Sequence, residues 1–112
     1  MGPKMSPEDK KRSIHRRLVH RIVRGPGHAP ADQRARAFDN AGVPDPCGQL
    51  LDKVATEPTR VSDADFAAAM DAGFTDDQLF ELLICAAVGQ ATRQYEAGLA
   101  ALTEVTTDPE AG

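Results

Sequence analysis

From Leu79 to Val88 the chain reads Leu-Phe-Glu-Leu-Leu-Ile-Cys-Ala-Ala-Val, apolar at every position except Glu81. A helix with almost no polar face has nothing to give to water, so it belongs at the centre with other helices wrapped around it. The code around this run repeats. Ser62 precedes Asp63-Ala64-Asp65, and Thr75 precedes Asp76-Asp77-Gln78. Each is a hydroxyl N-cap with an acceptor side chain three residues on, the pattern of a capping box. Val61 with Phe66 and Phe74 with Leu79 stand where hydrophobic staples form. Gly73 falls where the first of these two helices needs a left-handed residue. The stretch from Val61 to Leu102 therefore reads as two helices joined by a Gly-Phe-Thr corner.

The rest of the chain supports an all-α fold, a small bundle of about five helices. Its 41% hydrophobic content includes only 4% aromatic residues and no Trp. A core of Leu, Val, Ile and Ala favours packed helices over a sandwich, whose strands draw on aromatic and β-branched residues. With 112 residues there is room for one modest core. Ser6-Pro7-Glu8-Asp9 opens a first helix, with Ile14, Leu18 and Ile22 as its inward stripe, widened by Val19 and Val23. Gly25 to Pro30 is a linker. A second helix is expected from Ala31 to about Asn40, with Ala31, Ala35 and Phe38 inward, an Asp32–Arg36 pair outward and Gly42 at its end. Asp45-Pro46 should cap a third helix, with Leu50, Leu51 and Val54 inside and Pro58 as its stop. Gly89 is a point where the long final helix could bend.

These boundaries divide the chain into a basic N-terminal helix (1–24), a linker (25–30), a helical domain (31–105) and a disordered tail (106–112). The net charge of −4 hides a split. Residues 1–24 carry eight Lys or Arg against Glu8 and Asp9, a net +6, while the remainder holds five basic and fifteen acidic residues, a net −10. A basic helix of this kind either docks on the acidic body or meets an anionic partner. Lys10, Lys11, Arg12, Arg16, Arg17, Arg21 and Arg24 are the candidate contact residues for an acidic protein or a nucleic acid. No apolar run reaches the roughly 18 residues of a membrane span, and the polar N-terminus lacks a signal-peptide core, so a cytoplasmic location is expected.

Chemistry-bearing residues are few. Cys47, in the first turn of the third helix, is placed where the helix dipole favours a thiolate, although Asp45 beside it opposes that shift. Cys85 lies inside the apolar run and reads as a core residue. Glu81, in the same run, must find a partner or face a cavity, and Arg60 or Lys53 are the side chains that could supply one. His15 and His20 are five apart rather than the three or four that put two ligands on one helical face. No Cys or carboxylate cluster completes a zinc set, so neither metal nor cofactor is expected.

The ordered set Leu51-Asp-Lys-Val-Ala-Thr-Glu-Pro-Thr-Arg-Val-Ser-Asp-Ala-Asp-Phe, Ala72-Gly-Phe-Thr-Asp-Asp-Gln-Leu-Phe-Glu, and the apolar run ending in Ala91-Thr-Arg93 resembles the C-terminal half of AhpD-like proteins of the carboxymuconolactone decarboxylase superfamily. The resemblance covers about residues 50–102. It implies an all-α bundle that assembles into dimers, trimers or hexamers by packing such helices across subunits. It does not bring the family's activity. That chemistry uses a Cys-x-x-Cys pair with a His four residues after the second Cys. Here Cys47 is followed by Leu50, Cys85 by Val88, and all three histidines lie upstream of both cysteines. Without a second thiol the family's redox disulfide cannot form. Glu81 falls where many relatives have a carboxylate at the head of the long helix.

Three readings stay open on the sequence. One is a non-catalytic AhpD-like scaffold or accessory subunit, oligomeric through the Thr75–Leu102 helix. Another is a single-thiol or acid-base enzyme using Cys47 or Glu81. The third is a protein that binds nucleic acid or another anionic partner through its basic N-terminal helix.

Overall fold

The structure, a computed structural model, describes residues 6–107. Five α-helices carry the fold: α1 (Pro7–Arg24), α2 (Ala31–Asp39), α3 (Cys47–Thr56), α4 (Asp63–Asp71) and α5 (Asp76–Thr107), with a short 3-10 turn at Pro58–Arg60 before α4. No strand forms among the described residues. The fold is an all-α bundle.

Helix starts follow local hydrogen bonding. Ser6 Oγ accepts from the Asp9 amide at 3.1 Å, and Pro7 takes the first position of α1. At α4 the Ser62 hydroxyl accepts from the Asp65 amide while Asp65 accepts from the Ser62 amide at 2.9 Å. At α5 Thr75 and Gln78 exchange the same pair of bonds, at 3.0 and 3.1 Å. Both capping boxes close, and each satisfies amides that a helix leaves orphaned. Gly73 sits at φ +109, the left-handed conformation that ends α4 cheaply only for glycine. Asp65 also receives the Lys53 ammonium at 3.0 Å, which ties α3 to α4 and holds that carboxyl below its usual range.

Several local expectations are corrected. α2 ends at Asn40, not Gly42: Asn40 takes the left-handed conformation at φ 53, and its amide side chain donates to Asp52 Oδ1 at 3.0 Å. Asx residues tolerate that conformation because their short side chains bond locally. Asp45 does not cap α3. Pro46 occupies the cap position with no side-chain bond, and Asp45 instead accepts from Gln49. The Asp32–Arg36 pair does not form among the described residues, since Arg36 lies against Gly42. α5 runs without interruption through Gly89 and continues to Thr107, so residues 106 and 107 belong to the helix. Residues 108–112 of the expected tail lie outside the described region.

The core gathers Leu50 and Leu51 of α3, Ala37 of α2, Ala69 of α4, Val23 of α1, and Leu79, Leu82, Cys85 and Ala86 of α5. Residue 89 explains why α2 and α5 cross so closely. A side chain there would collide with the Phe38 carbonyl, so only glycine lets the two backbones meet. Arg93, one turn on, donates to that same Phe38 carbonyl at 2.6 Å and caps the end of α2.

The apolar run is not shielded on every side. Phe80 is 63% exposed and Ala87 is also open to solvent. The inward face of α1 is shifted too: Ile14 and Leu18 are 66% and 47% exposed, and the contact is made by Val19, Ile22 and Val23. Phe80 and Ala87 lie on the side of α5 opposite Leu82 and Ala86, which face the core. The exposure of Ile14 and Leu18 is a matter of length. α5 holds 32 residues, about 48 Å of helix at ~1.5 Å per residue, whereas the body it crosses is far shorter. The radius of gyration is 17.5 Å, against about 13 Å for a compact domain of this length. The distal half of α5 and the start of α1 project from the body.

Candidate functional site

Glu81 meets backbone, not a side-chain cation. Its carboxylate accepts from the Ala29 amide at 2.6 Å and from the His28 amide at 2.7 and 2.9 Å. Neither Arg60 nor Lys53 reaches it, because these pair with Glu57 and Asp65. Gln78, one turn before Glu81, donates to the His28 carbonyl at 3.5 Å. Gly27 lies against them: a Cβ there would come within 2.6 Å of Glu81 Oε1 and push the carboxylate aside. Burial works against ionisation of Glu81, but the Ala29 and His28 amides and the charge of Arg34 prevail, and its pKa lies below the ordinary range. A carboxylate held ionised by amides is a strap for the linker. It is poorly suited to proton transfer near neutrality.

Arg34 completes this knot and is the residue that inspection of the sequence misses. It is 5% exposed, and its guanidinium donates to the Ala29 carbonyl at 3.0 Å and the Ile22 carbonyl at 3.2 Å. The Cys85 thiol reaches the same Ile22 carbonyl at 3.6 Å. A cation at the last turn of α1 complements that helix's dipole. The signal in the sequence was indirect: a carboxylate in an apolar run demands donors, and the Gly-Pro linker is a source of free amides.

Both cysteines are buried and unpaired with each other. Desolvation pushes Cys47 up to about 11, opposite to the shift a helix start would favour. Cys85 is also raised, by burial first and by Glu81, against the lowering effect of Arg34. Neither thiol is poised as a nucleophile. Among the described residues no group of three or more His, Cys, Asp or Glu is arranged to hold a metal ion, and no helix is long and apolar enough to cross a membrane.

The seven basic residues of α1 split into two faces. Lys10, Arg17, Arg21 and Arg24, at helical spacings of seven, four and three, form an outer exposed ridge. Lys11, Arg12 and Arg16 line instead a groove of about 1210 Å³ between α1 and the distal half of α5. None of the seven makes an ion pair with a described residue. His15 and Thr92 cross the groove's inner end, 2.8 Å apart. The Thr92 hydroxyl gives its proton to the Val88 carbonyl at 2.7 Å, so His15 Nε2 is the donor in that contact. Val19, Phe38 and Leu99 supply apolar surface, and Glu96 and Glu104 stand on the α5 wall.

A second surface adjoins it. Phe80, Ile84, Ala87, Ala91, Gly98, Leu102 and Val105 follow one line along α5, with Ile84, Ala91, Gly98 and Val105 seven residues apart. None is charged, and all but the half-buried Ile84 are exposed. Comparison of the chain with family models, curated proteins and solved structures finds no match.

Proposed function

We propose that the chain is a non-catalytic helical interaction module of the AhpD-like kind, a scaffold or accessory subunit that pairs with a second copy of itself through α5. The observation that carries this reading is the uncharged line from Phe80 to Val105 on a chain in which 27% of residues are charged. A seven-residue apolar repeat is the seam of paired helices. Its sizes are nearly palindromic. Large residues stand at both ends, Phe80 and Ile84 against Leu102 and Val105, with Ala87, Ala91, Gln94 and Gly98 between. An antiparallel copy related by a two-fold axis would set Phe80 beside Val105, Ile84 beside Leu102 and Ala87 beside Gly98. Ala87 and Gly98 would then let the helices approach on either side of the axis, where Ala91 meets the uncharged Gln94, while large residues pack at the flanks. A two-fold contact requires this kind of self-complementarity.

The groups on which an enzyme reading would depend are occupied. Glu81 holds the linker, and Cys47 and Cys85 are buried thiols with raised pKa. The direct test is substitution of exposed residues that the isolated fold does not use. Leu102→Glu with Val105→Glu should halve the solution mass while leaving the helical circular dichroism signal in place. An unchanged mass would remove α5 as the pairing surface.

A second reading rests on the outer ridge. Lys10, Arg17, Arg21 and Arg24 suit a phosphate backbone, and binding of duplex DNA or RNA through them should fall steeply with salt. Arg17→Glu with Arg21→Glu should abolish it. Binding that ignores either salt or the substitutions would eliminate this version.

A further inference from the structure

We propose that the groove between α1 and distal α5 is a docking site for an acidic amphipathic helix of a partner protein. This goes beyond self-association and does not depend on it, because the groove opens on the flank of α5 and shares only Ala91 with the Phe80–Val105 line.

Size narrows the occupant first. At about 1210 Å³ the groove exceeds the 300–1,000 Å³ of ordinary small-molecule pockets. Its α5 wall runs from Ala91 to Glu104, about 20 Å at ~1.5 Å per residue, or between three and four helical turns. A helix with its side chains is about 10 Å across, an occupant on the scale of this elongated groove. A third helix laid between α1 and α5 is the helix-in-groove mode of recognition.

Charge then sets the occupant's character and orientation. Lys11, Arg12 and Arg16 stand on the α1 wall without a carboxylate partner among the described residues. They form a row of three cations beside the apolar floor of Val19, Phe38 and Leu99. The opposite wall carries the exposed Glu96. The field therefore runs across the groove, and an incoming helix must turn its acidic edge to α1 and a neutral or basic edge to α5. Its apolar stripe faces the floor. Low intrinsic cost of docking follows from the structure already present: His15 and Thr92 fix the two walls at the inner end, and the floor is built from partly buried residues.

The test uses the full chain and a fluorescein-labelled, end-blocked peptide of about 15 residues, four helical turns. Leucines are placed at alternating three- and four-residue spacing, with Glu along one edge and Gln and Ala along the other. A control peptide carries Lys in place of every Glu. Fluorescence anisotropy should show the acidic peptide binding, more weakly as salt is raised, and the Lys peptide not binding. Arg12→Glu with Arg16→Glu should raise Kd by about tenfold or more, and Leu99→Asp should do the same by a route that salt does not reproduce. All three positions lie at the groove surface, and circular dichroism confirms that each variant folds. Absence of binding, equal binding of the two peptides, or indifference to Arg12→Glu with Arg16→Glu would overturn the proposal. So would binding of anionic vesicles or duplex DNA through Arg12 and Arg16 with no peptide binding, since the groove would then serve another class of partner.

Discussion

The carboxylate of Glu81 accepts the amide of Ala29 at 2.6 Å, joining the second turn of α5 to the linker that carries α1. This contact converts a Gly-Pro linker into a fixed corner. With Arg34 gripping the Ala29 and Ile22 carbonyls from the other side, it sets the direction in which α1 leaves the body. The groove exists because that direction is set.

Glu81→Gln should therefore weaken the fold by about 1–2 kcal/mol, because amide bonds to a carboxylate are stronger than bonds to a neutral acceptor. Urea unfolding at neutral pH measures it. The same residue contributes to acid sensitivity. Its folded pKa is depressed, so its stabilisation is complete above the ordinary glutamate value of about 4.3 and is lost as pH falls through the lower folded value. Asp65, depressed chiefly by the Lys53 bond, acts in the same direction. The acid limb of the stability curve should flatten in Glu81→Gln and flatten further with Asp65→Asn added. An unchanged acid limb would mean these carboxylates are not strained into their ionised form by folding.

Arg34→Ala should cost more, about 2–4 kcal/mol, because it removes the donor that two buried or part-buried carbonyls accept from. The loss should be visible locally as faster trypsin cleavage after Arg24, next to the released linker. Arg34→Lys should recover only part of the loss, since an ammonium does not reproduce the planar fork that spans both carbonyls.

Gly89→Ala separates propensity from packing. In an isolated helix the change would stabilise by up to about 1 kcal/mol. Here the added methyl meets the Phe38 carbonyl, so α2 and α5 must part and the fold should weaken by about 1–3 kcal/mol. Thermal unfolding gives the sign. A gain in stability would contradict the close crossing.

Thiol chemistry offers a further check. With Cys47 buried and pushed up to about 11 and Cys85 buried beside the Ile22 carbonyl, neither should react appreciably with a disulfide reagent near pH 8 in the folded chain. Both should react once urea unfolds it. One rapid equivalent on native protein would restore Cys47 as a candidate nucleophile.

What the sequence made legible was local. Ser6, Ser62 and Thr75 mark helix starts because the bonds that make a start lie within three residues of it. The end of α2 was displaced to Asn40 because glycine is the commoner left-handed residue and Gly42 stood two positions on. Long-range features were hidden for physical reasons. Ile14 and Leu18 have the spacing of a buried stripe, yet burial depends on how far the body reaches along α1, and it stops near Val19. Arg34 was invisible because arginine is rarely buried unless paired, and its acceptors are carbonyls that composition does not reveal. For Glu81 the need for a donor was readable, but the donors were amides of a linker 52 residues away.

The account turns on α5 presenting an uncovered, uncharged seam to a second copy. Sedimentation equilibrium of the full chain at micromolar concentration is the most direct measurement of it. A mass of about 24 kDa, twice the 12.0 kDa chain as two-fold pairing requires, is the expected result, falling to the single-chain value in Leu102→Glu with Val105→Glu. A wild-type mass of one chain across that range would contradict it.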